Sequence, residues 1–181
     1  MSALQSLTYN VVSSLGDGTG IPEAELHDLI ARHERLAHLC DQLEACADKL
    51  PVWPNEMEAG RLREALEAYV ERAAEHEDLL VTQTFGRSLQ SPLAEALIHH
   101  VDLRHIDDLI HAQDLIAALG TTPTANARIS AETFGYMLRC FFAASRQAMV
   151  LEELAILMLG HESLTPDGKS LLINGLCRRV A

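Results

Sequence analysis

From Pro22 to Leu159 apolar residues return at steps of three and four, interrupted only by short stretches holding proline and glycine. That period belongs to the α-helix; a strand would alternate at every second residue. A first helix is predicted from about Pro22 to Lys49, with Leu26, Leu29, Leu36, Cys40 and Leu43 on one stripe. Pro51 and Pro54 end it. A second runs from Asn55 or Glu58 to Phe85, with Leu62, Leu66, Tyr69, Val70 and Ala73 inward and Gly86 as its breaker. Ser91-Pro92 opens a third, as cap and first-turn proline, and Gly120 stops it. Ser130 caps a fourth, which reaches Leu159 before Gly160 and carries Phe134, Leu138, Phe141, Ala148 and Ala155 inward. Long amphipathic helices joined by short turns predict an all-α chain, an antiparallel up-down four-helix bundle. Residues 1–20 then form an N-terminal arm, 21–160 the bundle, and 161–181 a tail with a short helix over Pro166–Val180.

Composition narrows the function classes. Apolar residues make up 48% and charged residues 22%, enough for a folded core, while only 4% are aromatic, which favours helices over sheets. A net charge of −12 sets the chain against phosphate backbones and anionic membrane surfaces, so neither nucleic acid nor membrane is an expected partner. Met1-Ser2-Ala3-Leu4 starts no basic leader and no long apolar run, so a cytoplasmic protein is expected. Cys40, Cys46, Cys140 and Cys177 make neither a CxxC nor a zinc spacing, and reduced thiols are expected.

The chemistry-bearing residues gather at mid-helix. His33 falls on the stripe of the first helix, Glu77 on that of the second, His105 on the third and Glu152 on the fourth. A buried carboxylate without a partner costs much of a small domain's stability. Two carboxylates and two imidazoles around one cation remove that cost, and a mixed N/O donor set without a thiolate suits iron, manganese or zinc. Asp102 and His105 form an Asp-x-x-His, like the i, i+3 carboxylate–imidazole pairs of bundle metal sites. His76 and Asp102 stand as further ligands or as partners that fix an imidazole tautomer. The histidine-rich stretch 99–111 is not itself a cluster, because His99, His105 and His111 point roughly 120° apart on a helix. Arg139, Arg146 and Glu153 make a heptad-spaced row expected to face solvent.

The order of these residues resembles the hemerythrin-like (HHE cation-binding) superfamily. There the first helix gives a His, the second an HxxxE, the third an HxxxH and the fourth an HxxxE or HxxxxD. The corresponding segments here are Arg32-His33-Glu34, Ala73-Ala-Glu-His76-Glu77, Val101-Asp102-Leu-Arg-His105 and Ala148-Met-Val-Leu-Glu152. The likeness spans roughly residues 24–159. Ala73, Val101 and Ala148 stand where the family pairs begin with His, so three imidazoles of a di-iron site are absent. What the resemblance implies is a non-haem centre with iron in mono- or dinuclear form (a second ion would recruit His76, Asp102 or Glu153) and a small ligand such as oxygen, peroxide or nitric oxide. The alternative is a metal-free bundle of that shape acting as a signalling, protein-interaction or ligand-binding module. No catalytic residue is assigned and turnover is left open; the amphipathic arm and tail offer surfaces for a homodimer.

Overall fold

The structure is a computed structural model that describes residues 21–75, 92–120 and 129–180. Among the described residues there are five helices and no strand: α1 (Glu23–Ala47), α2 (Glu56–Glu75), α3 (Pro92–Gly120), α4 (Ala131–Leu159) and α5 (Pro166–Val180). No described helix is long and apolar enough to cross a membrane. The predicted arm and the end of the second helix, with His76 and Glu77, lie outside the described residues.

Local sequence explains where the helices begin. Glu23 and Glu25 put negative charge at the first turn of α1, where the helix dipole is positive. At α2, Asn55 Oδ1 accepts from the Glu58 backbone N–H at 2.9 Å, and Glu58 Oε2 accepts from the Asn55 N–H at 3.1 Å. This reciprocal capping box also holds the exposed Glu58 carboxyl below its ordinary value. Ser130 Oγ accepts from the Thr133 N–H at 3.0 Å, as the cap reading of α4 requires. The turn between α1 and α2 is anchored by Trp53, whose ring stacks on Phe134 of α4 at 4.8 Å.

Helix α3 lies against both α2 and α4, α4 lies against α1, and α5 lies across α1 and α4. The Ile21 N–H donates to the Ser163 carbonyl at 3.0 Å, tying the start of α1 to the turn before α5. By contrast, α1 and α2 meet over a short seam. Apolar burial falls into two clusters. One is built around Leu36, Leu43, Leu66, Leu115, Phe134 and Phe141, the other around Leu26, Leu29, Ile98, Val101, Ile156 and Leu172. Three of the predicted site residues fall between them in the chain. His33 separates Ile30 from Leu36, His105 separates Val101 from Ala112, and Glu152 separates Met149 from Ala155. A polar layer therefore crosses the interior where the two apolar halves meet.

Candidate functional site

His33 is buried, and both of its ring nitrogens meet carboxylates. Nδ1 lies 2.7 Å from Glu153 Oε1, and Nε2 lies 3.0 Å from Glu152 Oε2. From α3, His105 brings its Nε2 to 3.2 Å from the same Glu152 oxygen, though not aligned as a hydrogen bond. On the far side Arg179 of α5 donates to Glu153 Oε1 through Nε at 3.1 Å, and through Nη2 as well. The result is a row of alternating charge, Arg179–Glu153–His33–Glu152–His105, contributed by α5, α4, α1 and α3. It leaves Glu152 Oε1, Glu153 Oε2 and His105 Nε2 buried without a hydrogen-bond partner among the described residues.

Electrostatics follow from that row. Burial alone would lower the His33 pKa, but its hydrogen bonds to Glu152 and Glu153, and their charges, outweigh burial and raise it above 6.5. Burial would push Glu152 up; its contacts with His105 and His33 reverse this and hold the carboxyl well below 4.5. One turn beyond His105, Asp108 is fully buried, and neither carboxylate oxygen has a well-aligned hydrogen-bond partner among the described residues. Burial moves its pKa from 3.8 to about 6, offset in part by the nearby Ser145 hydroxyl and by the charges of His105 and His111.

Among the described residues the polar layer is open on one side. The thin seam between α1 and α2 widens into a cleft of about 930 Å³, with His33, His105 and Glu152 in its lining. Asp102, half-buried, and Tyr69 belong to its walls. Desolvation, with smaller effects from the charges of Asp108, Cys40 and Glu152, raises the Tyr69 phenol above its ordinary value. Arg32, Arg35 and Arg72 also line the cleft, with Leu36, Leu39 and Leu109.

Of the six residues singled out as metal ligands, the fold brings His33, His105 and Glu152 into contact and places Asp102 in the same cleft. Glu77 and His76 lie outside the described residues. Among the described residues no group of three or more His, Cys, Asp or Glu side chains is placed to hold a metal ion. One expectation is corrected outright: Glu153 does not face solvent in a row with Arg139 and Arg146 but is fully buried. The reason is α5, which covers the side of α4 that four helices alone would leave bare. The signal in the sequence was Gly175, whose missing side chain leaves room for Glu153, followed one turn later by Arg179. Arg146 is half-exposed and bridges Asp41 at 2.8 Å and Glu44 at 2.6 Å on α1.

No family model, no curated protein and no solved structure matches this chain.

Proposed function

We propose that the chain is an antiparallel up-down four-helix bundle of hemerythrin-like type that holds a non-haem divalent metal ion beside the cleft and admits a small ligand to it. The observation that carries this reading is the convergence of two imidazole Nε2 atoms, from α1 and α3, on one buried oxygen of Glu152, at 3.0 and 3.2 Å. The unpartnered His105 Nε2 and Glu152 Oε1 support it, because buried polar atoms are normally satisfied and a cation would satisfy both. His33, His105 and Glu152 would hold the ion, with Asp102 and, from outside the described residues, His76 and Glu77 as further donors. Two nitrogens with carboxylate oxygen suit iron first, with manganese and zinc as alternatives. When bound, such an ion supplies a Lewis-acidic position for oxygen, peroxide or nitric oxide.

The chain's own residues do the rest. Glu153 receives the His33 Nδ1–H and so directs Nε2 toward Glu152. The cleft gives access from one side, while the two apolar clusters close the layer above and below. Protons compete with a cation for His33 and Glu152, so affinity should fall as the pH is lowered.

A second reading, a metal-free ligand-binding module, draws on a specific observation too: His33 is already satisfied at both nitrogens by carboxylates. Metal analysis of the untagged full chain separates the two, followed by titration of the stripped protein with Fe(II), Mn(II) and Zn(II). Saturable binding that is lost in His33→Ala and in His105→Ala supports the metal reading. Binding that survives both substitutions removes the assigned site, and no binding at all leaves the metal-free module.

A further inference from the structure

We infer that Arg179 of α5, acting through Glu153, is a positioning residue that fixes the ring of His33, with the Nδ1 proton toward Glu153 and Nε2 toward Glu152 and His105. The substrate of this control is the site proposed above, and its affinity consequences rest on that reading; the orientation of the ring does not.

The argument is one of donors and acceptors. An ionised carboxylate only accepts. Glu153 Oε1 accepts two N–H groups from Arg179. The same oxygen lies 2.7 Å from His33 Nδ1, which must donate to it, and in the charged ring Nε2 donates to Glu152 Oε2 at 3.0 Å. When the ring is neutral, the shorter contact at Nδ1, held by Arg179, keeps its proton, and Nε2 is the atom left with a lone pair. Such an outer carboxylate both orients an imidazole and raises its basicity toward a metal. Here the carboxylate is in turn held by a side chain from the last helix, itself largely buried at 12% exposure.

The backbone of α5 is fitted to this task. A Cβ placed on Gly175 would lie 3.0 Å from Glu153 Oε2 and 3.2 Å from Ile30 Cδ1. Any larger residue there must displace the carboxylate or the helix. The neighbouring Arg178 makes a contrasting contact, an exposed pair with Glu34 at 3.3 Å that never reaches the polar layer. Two adjacent arginines on one helix thus provide a test and its control.

The full chain, stripped of metal, is titrated with Co(II). Arg179→Gln and Glu153→Gln should each weaken binding by about 10–100-fold. The double variant should be no weaker than the weaker single one, since both act through one contact. Arg178→Gln should leave binding unchanged. Arg179→Lys should restore part of the loss, because one ammonium can still donate to Glu153. In ¹⁵N-histidine-labelled protein without metal, the neutral His33 ring should carry its proton on Nδ1, and Arg179→Gln should shift it toward a mixture of tautomers. If Arg179→Gln fails to fold, Gly175→Ala keeps every charge and should weaken Co(II) binding through displacement of Glu153. The inference is overturned if wild type binds Co(II) and Arg179→Gln binds equally, or if His33 in wild type carries its proton on Nε2. Absence of Co(II) binding in wild type overturns the metal reading instead, and the ¹⁵N spectra then decide this inference alone.

Discussion

Glu152 and Glu153 are consecutive on α4, yet they hold one imidazole between them, at its two opposite nitrogens. Consecutive helical side chains diverge by about 100°, so the ring has to enter from outside α4 to meet both. His33 does so from α1. Two carboxylates that would each be costly to bury alone are thereby served by a single cation, with His105 and Arg179 completing the row at its ends.

Removal of that ring should be felt strongly. His33→Leu leaves buried Glu152 with His105 alone and Glu153 with Arg179 alone, and should cost about 3–5 kcal/mol in urea unfolding. Adding Glu152→Leu should return part of the loss rather than deepen it. The pH dependence has a definite shape. Stability from the raised His33 is complete below about 6.5 and is lost as the pH climbs through its raised folded pKa. That from the depressed Glu152 is complete above about 4.5 and is lost as the pH falls through its lowered folded pKa. The contribution of the pair should therefore peak between these two values and disappear in His33→Leu; an identical pH profile for the two proteins would refute the charge pairing.

Asp108 acts in the opposite sense. Its carboxyl ionises at 3.8 in the unfolded chain and at about 6 in the folded one, so the folded state loses stability as the pH rises between those values. The loss amounts to roughly 3 kcal/mol once both states are ionised. Asp108→Asn removes the charge and should be more stable than wild type at pH 8, by about 1–3 kcal/mol after allowance for an amide that is itself imperfectly paired. The advantage should shrink toward pH 4. A difference between the two proteins that is independent of pH would show that Asp108 is not held in this way.

Gly60 offers a gain without any electrostatic component. It sits inside α2, and a Cβ there would meet nothing within 4 Å. Gly60→Ala should raise stability by about 1 kcal/mol, from helix propensity alone. Thermal unfolding followed by circular dichroism measures it, and an unchanged or lowered midpoint would mean that the position has a packing role.

The helices were legible because their stripes are long and their ends are marked: Asn55, Ser130 and Gly160 each stand at or beside a boundary. His33, His105 and Glu152 were legible because an ionisable residue on an apolar stripe is conspicuous. Glu153 was not, because a stripe read from one helix says nothing about a fifth helix that arrives from the far end of the chain. Asp108 was missed for a related reason. The predicted stripe of α3 runs through Ile98, Val101, His105, Leu109 and Ala112, whereas Asp108 and Leu115 are buried on a second line beside it. One stripe per helix is too narrow where α3 lies between α2 and α4 and must bury two flanks.

The wall of the cleft contributed by α2 includes Ala65, Ala68 and Ala73. Part of its capacity thus depends on three methyl groups, none of them charged and none in the row that holds His33. An alanine codon is one base change from a valine codon, and each such change would narrow the space while leaving every ionisable group in place. The room for a guest and the chemistry that meets it are inherited separately in this fold, so either can drift, or be redesigned, without the other.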